Sequence, residues 1–333
     1  MKYKGITLLS IILLIIVSCA KPNEPASIEG SLTIEHVYST IGYARDISIT
    51  SSNLYIAEDQ AGYSIYDLSS KELISRHTSF IMEIDPIMFE NVRAVSADEE
   101  NELLFVYDRY GSPASISVFD MTDKIDPEFI FQISGNTSGI IQLRSGPSTL
   151  GGTDLTWTNG STYNFGRFDE LWLGSNAFGF QNSVGGFDLN EAHIFLAAEQ
   201  LGFHIVDRSN GDLLSTTDTE AEALDVKIVD SHAIVALRQG GFAVYNVSNI
   251  SDPVLERYVE TNDFIYNIDI EGNNLVLGSH SGGVYHYDIT DITNPVLTGN
   301  LNSDIIGYTF KVKIKNNKIY ASTRHGVYEI KID

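Results

Sequence analysis

The chain has 333 residues, 43% of them hydrophobic, with 44 acidic against 21 basic side chains and a formal charge of −23. That length supplies one large core or two ordinary ones, and such a charge disfavours nucleic acid and anionic lipid surfaces on Coulomb grounds. A single cysteine, Cys19, leaves no internal disulfide, so the core alone must hold the fold.

At the N-terminus, Lys2 and Lys4 precede an uncharged apolar run from Ile6 to Val17. The run is too short to span a bilayer and has the charged-then-apolar order of a secretory signal. It ends in Ile16-Val17-Ser18-Cys19 and resembles a bacterial lipoprotein signal, with Ile16 where that signal usually carries Leu. The resemblance implies that residues 1–18 are removed and that Cys19 is acylated as the new N-terminus. With Lys2 and Lys4 gone, the charge goes from −23 to −25. Residues 19–30, polar and holding Pro22 and Pro25, read as a tether between lipid and body.

From there the sequence repeats. YDLSS at Asp67, FDMTD at Asp120, VDRSN at Asp207, YNVSN at Asn246 and YDITD at Asp288 align, with Glu329 expected to close the series. The last two steps are 39 and 42 residues, and the 87 from Asp120 to Asp207 make two such periods. Before each mark lie two apolar segments separated by a polar turn, then a Gly-containing turn; Pro-Val-Leu segments follow two of the marks. Each unit is therefore four short strands, the pattern of a β-propeller blade.

Units fall near 44–77, 91–133, a divergent 135–182, 184–217, 223–258, 265–299 and 309–333. The expected fold is all-β, one propeller over residues 31–333 with seven blades, six being the alternative. In the irregular third unit, LWLGSNAFGF matches LVLGSHSGGV of the sixth. Leu171 then lies only 23 residues before Ile194, which implies a rearrangement or insertion. The last unit lacks an outer strand, and Ser31–Tyr38 is an outer strand lacking a blade. Pairing the two closes the ring and removes its free edges.

GFHIVDRSNGDLL, GFAVYNVSNISDPVL and GVYHYDITDITNPVL resemble LVIVD repeats, named for their apolar-Val-Asp strand. The resemblance covers about residues 31–333 and is strongest from 184 to 299. It implies an exported bacterial or archaeal propeller and says almost nothing about chemistry.

The recurring Asp67, Asp120, Asp207 and Asp288 suit turns, because an Asp carboxylate bonds backbone N–H groups two residues on. Pro253 and Pro295 suit the starts of edge strands, and the glycines at 240–241 and 282–283 suit positive φ. Functional candidates are the positions that vary between units. Strand starts at Asp46, Arg93, Gly186, Asp225, Asn267 and Lys311 share one face with turns carrying Asp59, Arg109, Asn176, Glu199, Arg238, His280, Arg324 and His325. Tyr43, Tyr110, Phe178, Tyr266 and Tyr308 add aromatic anchors. Asp46, Asp225 and Asn267 also have the chemistry to tie adjacent blades together.

Among catalytic signatures, no calcium loop, phosphate-cradling loop or nucleophile elbow occurs, and His280 with His325 lacks a third zinc ligand. No cofactor, metal or catalytic residue is expected. The reading is a monomeric, non-catalytic envelope lipoprotein, anchored to the outer membrane only through its lipid and facing the periplasm or the outside. Its rim binds an envelope protein or an extracellular ligand. The alternative is an envelope hydrolase with its site in the central channel.

Ring closure by the N-terminal strand makes an unequal prediction for two deletions. Removing residues 31–38 lowers the melting temperature sharply, whereas removing 20–30 leaves it unchanged; equal melting temperatures would refute the closure.

Overall fold

Apolar runs such as Asn53–Ala57 and Leu103–Asp108 are buried along their whole length, on both faces. A strand of that kind needs a layer on each side of its sheet. The computed structural model, which describes residues 32–111, 113–180 and 183–333, supplies those layers as seven four-stranded antiparallel blades in a ring. The expected signal 1–18, Cys19 and tether 19–30 lie outside the described residues.

Numbered from the first innermost strand, blade one comprises Asp46–Ile49, Asn53–Ala57, Tyr63–Asp67 and Leu73–His77. The innermost strands of blades two to seven are Val92–Asp98, Gln142–Pro147, Phe187–Leu189, Ala223–Val229, Ile265–Glu271 and Thr309–Lys315. Each blade packs its buried face on the next, and equivalent positions repeat the contact. Phe203 meets Tyr245 edge-on at 5.0 Å, and Phe242 meets Tyr287 at 5.1 Å one blade later. Such pairs add about 0.5–1.5 kcal/mol each beyond area burial.

The turns follow the repeat chemistry. Asp67 accepts from the backbone of Ser69 and Ser70, and Asp120, Asp207, Asn246 and Asp288 accept from the residue two positions on. Gly241 and Gly283 have φ of 112° and 82°, and a Cβ on either would lie 2.0 Å from an outer-strand carbonyl, Val259 or Leu301. Gly282 differs from expectation. Its φ is not positive, and the Asp263 carboxylate, 2.2 Å from where a Cβ would stand, is what requires glycine.

Blade three corrects the sequence reading. Leu171–Gly179 is the outer strand of a complete four-stranded blade, paired with Thr162–Asp169, and not a second strand. The blade is neither rearranged nor interrupted; the apolar LWLG segment stands on a long, largely exposed edge, where its composition had suggested a buried interior. The insertion lies elsewhere, as a hairpin of Ser79–Met82 and Asp85–Met88 between blades one and two. A four-residue helix, Ser303–Ile306, leads into blade seven. Among the described residues no helix is long and apolar enough to cross a membrane.

Closure occurs as expected: Leu32–Tyr38 pairs antiparallel with Gly326–Ile332 as the outer strand of blade seven. The register also corrects the place of Glu329. Lys331 stands opposite Lys318 as Asp288 stands opposite Asn274, so Glu329 lies two residues before the turn position. No turn follows Lys331, because the outer strand arrives from the other end of the chain.

Glu329 is 1% exposed and ties the seam together. It accepts the Tyr38 hydroxyl at 2.6 Å, Lys71 of blade one at 3.0 Å and Lys318 at 2.5 Å. Burial opposes its charge, but the hydrogen bonds from Lys318, Tyr38 and Lys71 outweigh it and hold the carboxyl down at about 2. A depressed folded-state value stabilises above the ordinary 4.5, and that contribution is lost as pH falls toward about 2. Glu329→Gln is expected to cost about 2 kcal/mol at pH 7, less than a fully buried pair because both lysines are partly exposed. It should also flatten the acid limb between pH 4.5 and 2, as read by urea denaturation at several pH values.

Candidate binding rim and central channel

The innermost strands line a central cavity of about 630 Å³. Its levels follow from register, because four innermost strands carry a bulge near the start. The bulge puts Arg93, Tyr266 and Phe310 on an upper level with Arg45. One residue further in stand Asp46, Gln142, Asp225, Asn267 and Lys311. The sequence alignment had placed Arg93 on that second level. Ala94 occupies it instead, because the irregularity between Val92 and Ala94 shifts the count by one.

Second-level side chains bind the ring together. Asp46 accepts the Val95 N–H at 3.1 Å, Asp225 the Ile268 N–H at 3.1 Å and Asn267 the Val312 N–H at 2.8 Å. Gln142 does the same for Phe187 at 2.8 Å. Each bond crosses from one blade to the next. Burial pushes the Asp46 carboxyl up, against the pull of Lys311 and the Val95 N–H. Lys311 lines the channel rather than the outer rim.

On the third level, Ser48, Ser96, Arg144, Asp188, Lys227, Asp269 and Lys313 come from blades one to seven in order. Arg144 and Asp188 pair at 2.7 Å, and Lys313 and Asp269 at 3.5 Å. Lys227 lies in the fields of Asp225, Asp188 and Asp269, which hold its ammonium above the usual range despite burial. Seven of the chain's 21 basic side chains line the cavity, against four of its 44 acidic ones. The channel of an acidic protein is thus locally cationic.

At the rim, one sector concentrates the aromatic candidates. Tyr266 stacks on His280 with centroids 3.3 Å apart, and His280 on Tyr308 at 4.3 Å. The Arg324 guanidinium lies 4.5 Å from the Tyr308 ring and 5.8 Å from Tyr43, while Arg45 lies 4.5 Å from Phe310 and 5.0 Å from Tyr43. Tyr43 is 46% exposed and Arg324 is exposed beside it. Blades six, seven and one therefore build a cation–aromatic cluster at the channel mouth. Burial, with Arg324 and Arg238 nearby, holds His280 down at about 4, so it is neutral in the stack at pH 7.

Other candidates are spread around the ring. Asp59 pairs with Arg45 at 2.6 Å. Arg109 lies 5.5 Å from the exposed Tyr110 ring. Glu199 accepts the Ser183 hydroxyl, and Arg238 pairs with Glu222 at 2.8 Å. His325 is exposed beside Gly307 and does not join His280 in the stack. Among the described residues no group of three His, Cys, Asp or Glu is placed to hold a metal.

Asn176 and Phe178 do not reach the rim, since their strand is the outer edge of blade three. Phe178 packs on Tyr163 and Phe165 and covers Gly211. The rim turn of that blade carries Asn159, which donates to the Asn136 carbonyl at 2.8 Å. Sequence reasoning missed Arg45, Phe310 and Asn159. Arg45 and Phe310 each directly precede a chosen strand start, and for Phe310 an allowance for the bulge between Thr309 and Lys311 would have found it.

The chain carries LVIVD repeats: the LVIVD repeat family matches residues 41–72 and 221–261, in blades one and five. No curated protein matches the sequence. Many solved structures share the fold, among them the following three. The structure of U3-55K superposes with a TM-score of 0.72 at 12% identity, covering 90% of this chain and 98% of that one. The RRP9 WD40 repeats give 0.70 at 12% identity, covering 91% and 98%. The computationally designed Ika8 protein gives 0.60 at 11% identity, covering 91% and 100%. At these identities the likeness is one of fold alone.

His280 offers a local test of the rim cluster. Its titration midpoint, followed by NMR, is expected near 4, and Arg324→Gln should move it upward by removing a neighbouring cation. An unmoved midpoint would detach Arg324 from the stack. Because the folded value is depressed, stability rises with pH between about 4 and 6.5.

Proposed function

We propose that this protein is a non-catalytic lipoprotein of the bacterial cell envelope that binds a protein partner or an extracellular ligand through its propeller rim. The observation that carries the reading is the cation–aromatic cluster of Tyr43, Arg45, Tyr266, His280, Tyr308, Phe310 and Arg324 at the channel mouth. Exposed tyrosine and arginine beside one another are the residues that dominate binding energy at interfaces. The lipid on Cys19 rests on the resemblance of the leader to a lipoprotein signal, and the proposed address is the outer membrane, with the body facing the periplasm or the outside.

Binding is favoured over catalysis in the channel by the duties of its carboxylates. Asp46, Asp188, Asp225 and Asp269 each accept a backbone N–H of the following blade. An envelope hydrolase needs a carboxyl free to exchange a proton with substrate, and these four are engaged in holding the ring.

Affinity purification from gently solubilised cells tests the rim. Wild type is expected to retain a partner that a Tyr43→Ser, Arg238→Glu, Arg324→Glu variant loses, at an unchanged melting temperature. A partner retained by the variant, or none captured by either protein, would overturn the rim reading.

A further inference from the structure

The third level of the channel alternates in charge and then stops. Arg144, Asp188, Lys227, Asp269 and Lys313 run positive, negative, positive, negative, positive through blades three to seven. Blades one and two supply Ser48 and Ser96 where the alternation calls for negative charge. At this level Arg144 and Lys313 therefore have a carboxylate neighbour on one side only, with the serines between them on the other, and Asp46 of blade one acts on Lys313 from the level above.

Both serines have a donor to spare. Ser48 Oγ accepts the Ala97 N–H at 3.0 Å, and Ser96 Oγ accepts from the Ser145 N–H at 2.7 Å and hydroxyl at 2.8 Å. Their own O–H protons are left to donate, and hydroxyl and ammonium donors together suit an anionic oxygen. One level up, Lys311 has no carboxylate within 4.0 Å among the described residues. Asp269 supports the charge on Lys313, yet burial together with Lys227 and Lys311 holds that ammonium below the usual lysine range. Cations are crowded here with too few counter-charges.

We infer that the central channel binds a small oxyanion, the carboxylate or phosphate group of a low-mass solute, in the gap formed by Ser48 and Ser96 between Lys313 and Arg144. The cavity of about 630 Å³ admits such a solute and not a folded partner. An anion there completes the ring's alternation. The acidic exterior repels anions at long range, but at physiological salt the screening length is about 8 Å, so the local cations govern inside the channel. This inference does not rest on the rim reading. Loss of a rim partner in the Tyr43, Arg238 and Arg324 variant is expected to leave anion binding intact.

Isothermal titration of the purified protein, in chloride buffer free of other oxyanions, tests it with inorganic phosphate in one arm and citrate in the other. Saturable one-to-one binding is expected in at least one arm, and the arm identifies the chemistry. Ser48→Asp should accept the Ala97 N–H as Asp188 accepts that of Ile228, keeping the melting temperature while weakening binding by at least about tenfold. Lys311→Gln, which breaks no ion pair within 4.0 Å although it removes a cation that acts on Asp46, should weaken binding several-fold with the chain still folded by melting temperature, and it decides the matter if Ser48→Asp folds poorly. No saturable heat from either anion, or variants that bind as tightly as the parent, would overturn the assignment.

Discussion

A blade of this protein cannot exist alone, because its inner strands are apolar on both faces and need a neighbour on each. Stacking satisfies every blade except those at the ends of the chain, so the fold depends on joining the two ends. Glu329 is where that happens. One buried carboxylate draws in a tyrosine from the first described strand, a lysine from the first blade and a lysine from the last. Burying a charge is tolerable only with such partners. Removing them would weaken the seam whose ladder keeps the strand edges of the closed ring paired.

The innermost strands share that logic on a smaller scale. Their backbone N–H groups face a neighbouring blade rather than a fifth strand, and polar side chains of the preceding blade meet them. The channel is polar because it is stitched. Carboxylates that do the stitching bring charge inward, and lysines and arginines follow to neutralise it. Where serine does the stitching, no charge is brought in, and the compensating cations on either side are left in excess.

Much of the fold was legible in the sequence because repetition marks each blade in the same way. The Asp at the end of the third strand, the close-approach glycine and the Pro-Val-Leu edge are local signals, and the missing edge of the last unit pointed to the N-terminal strand. What failed were judgements needing register. LWLGSNAFG has the same apolar content as a buried strand, and only pairing shows it at the edge of blade three. Arg93 was displaced by a bulge that leaves no mark in composition. The rim cluster was half visible: Tyr43, Tyr266, Tyr308, His280 and Arg324 stood out as exceptions to the repeat. That they meet depends on blades six and seven lying next to blade one, which no local pattern encodes.

The closing strand also fixes where the chain enters the ring. Leu32 lies opposite Ile332, while Tyr38 lies near the Arg324–Gly326 turn beside the aromatic cluster. The chain therefore enters the propeller at the end of the channel remote from the rim. Any group attached ahead of Leu32 therefore meets that remote end, and the cation–aromatic face opens at the opposite end of the channel.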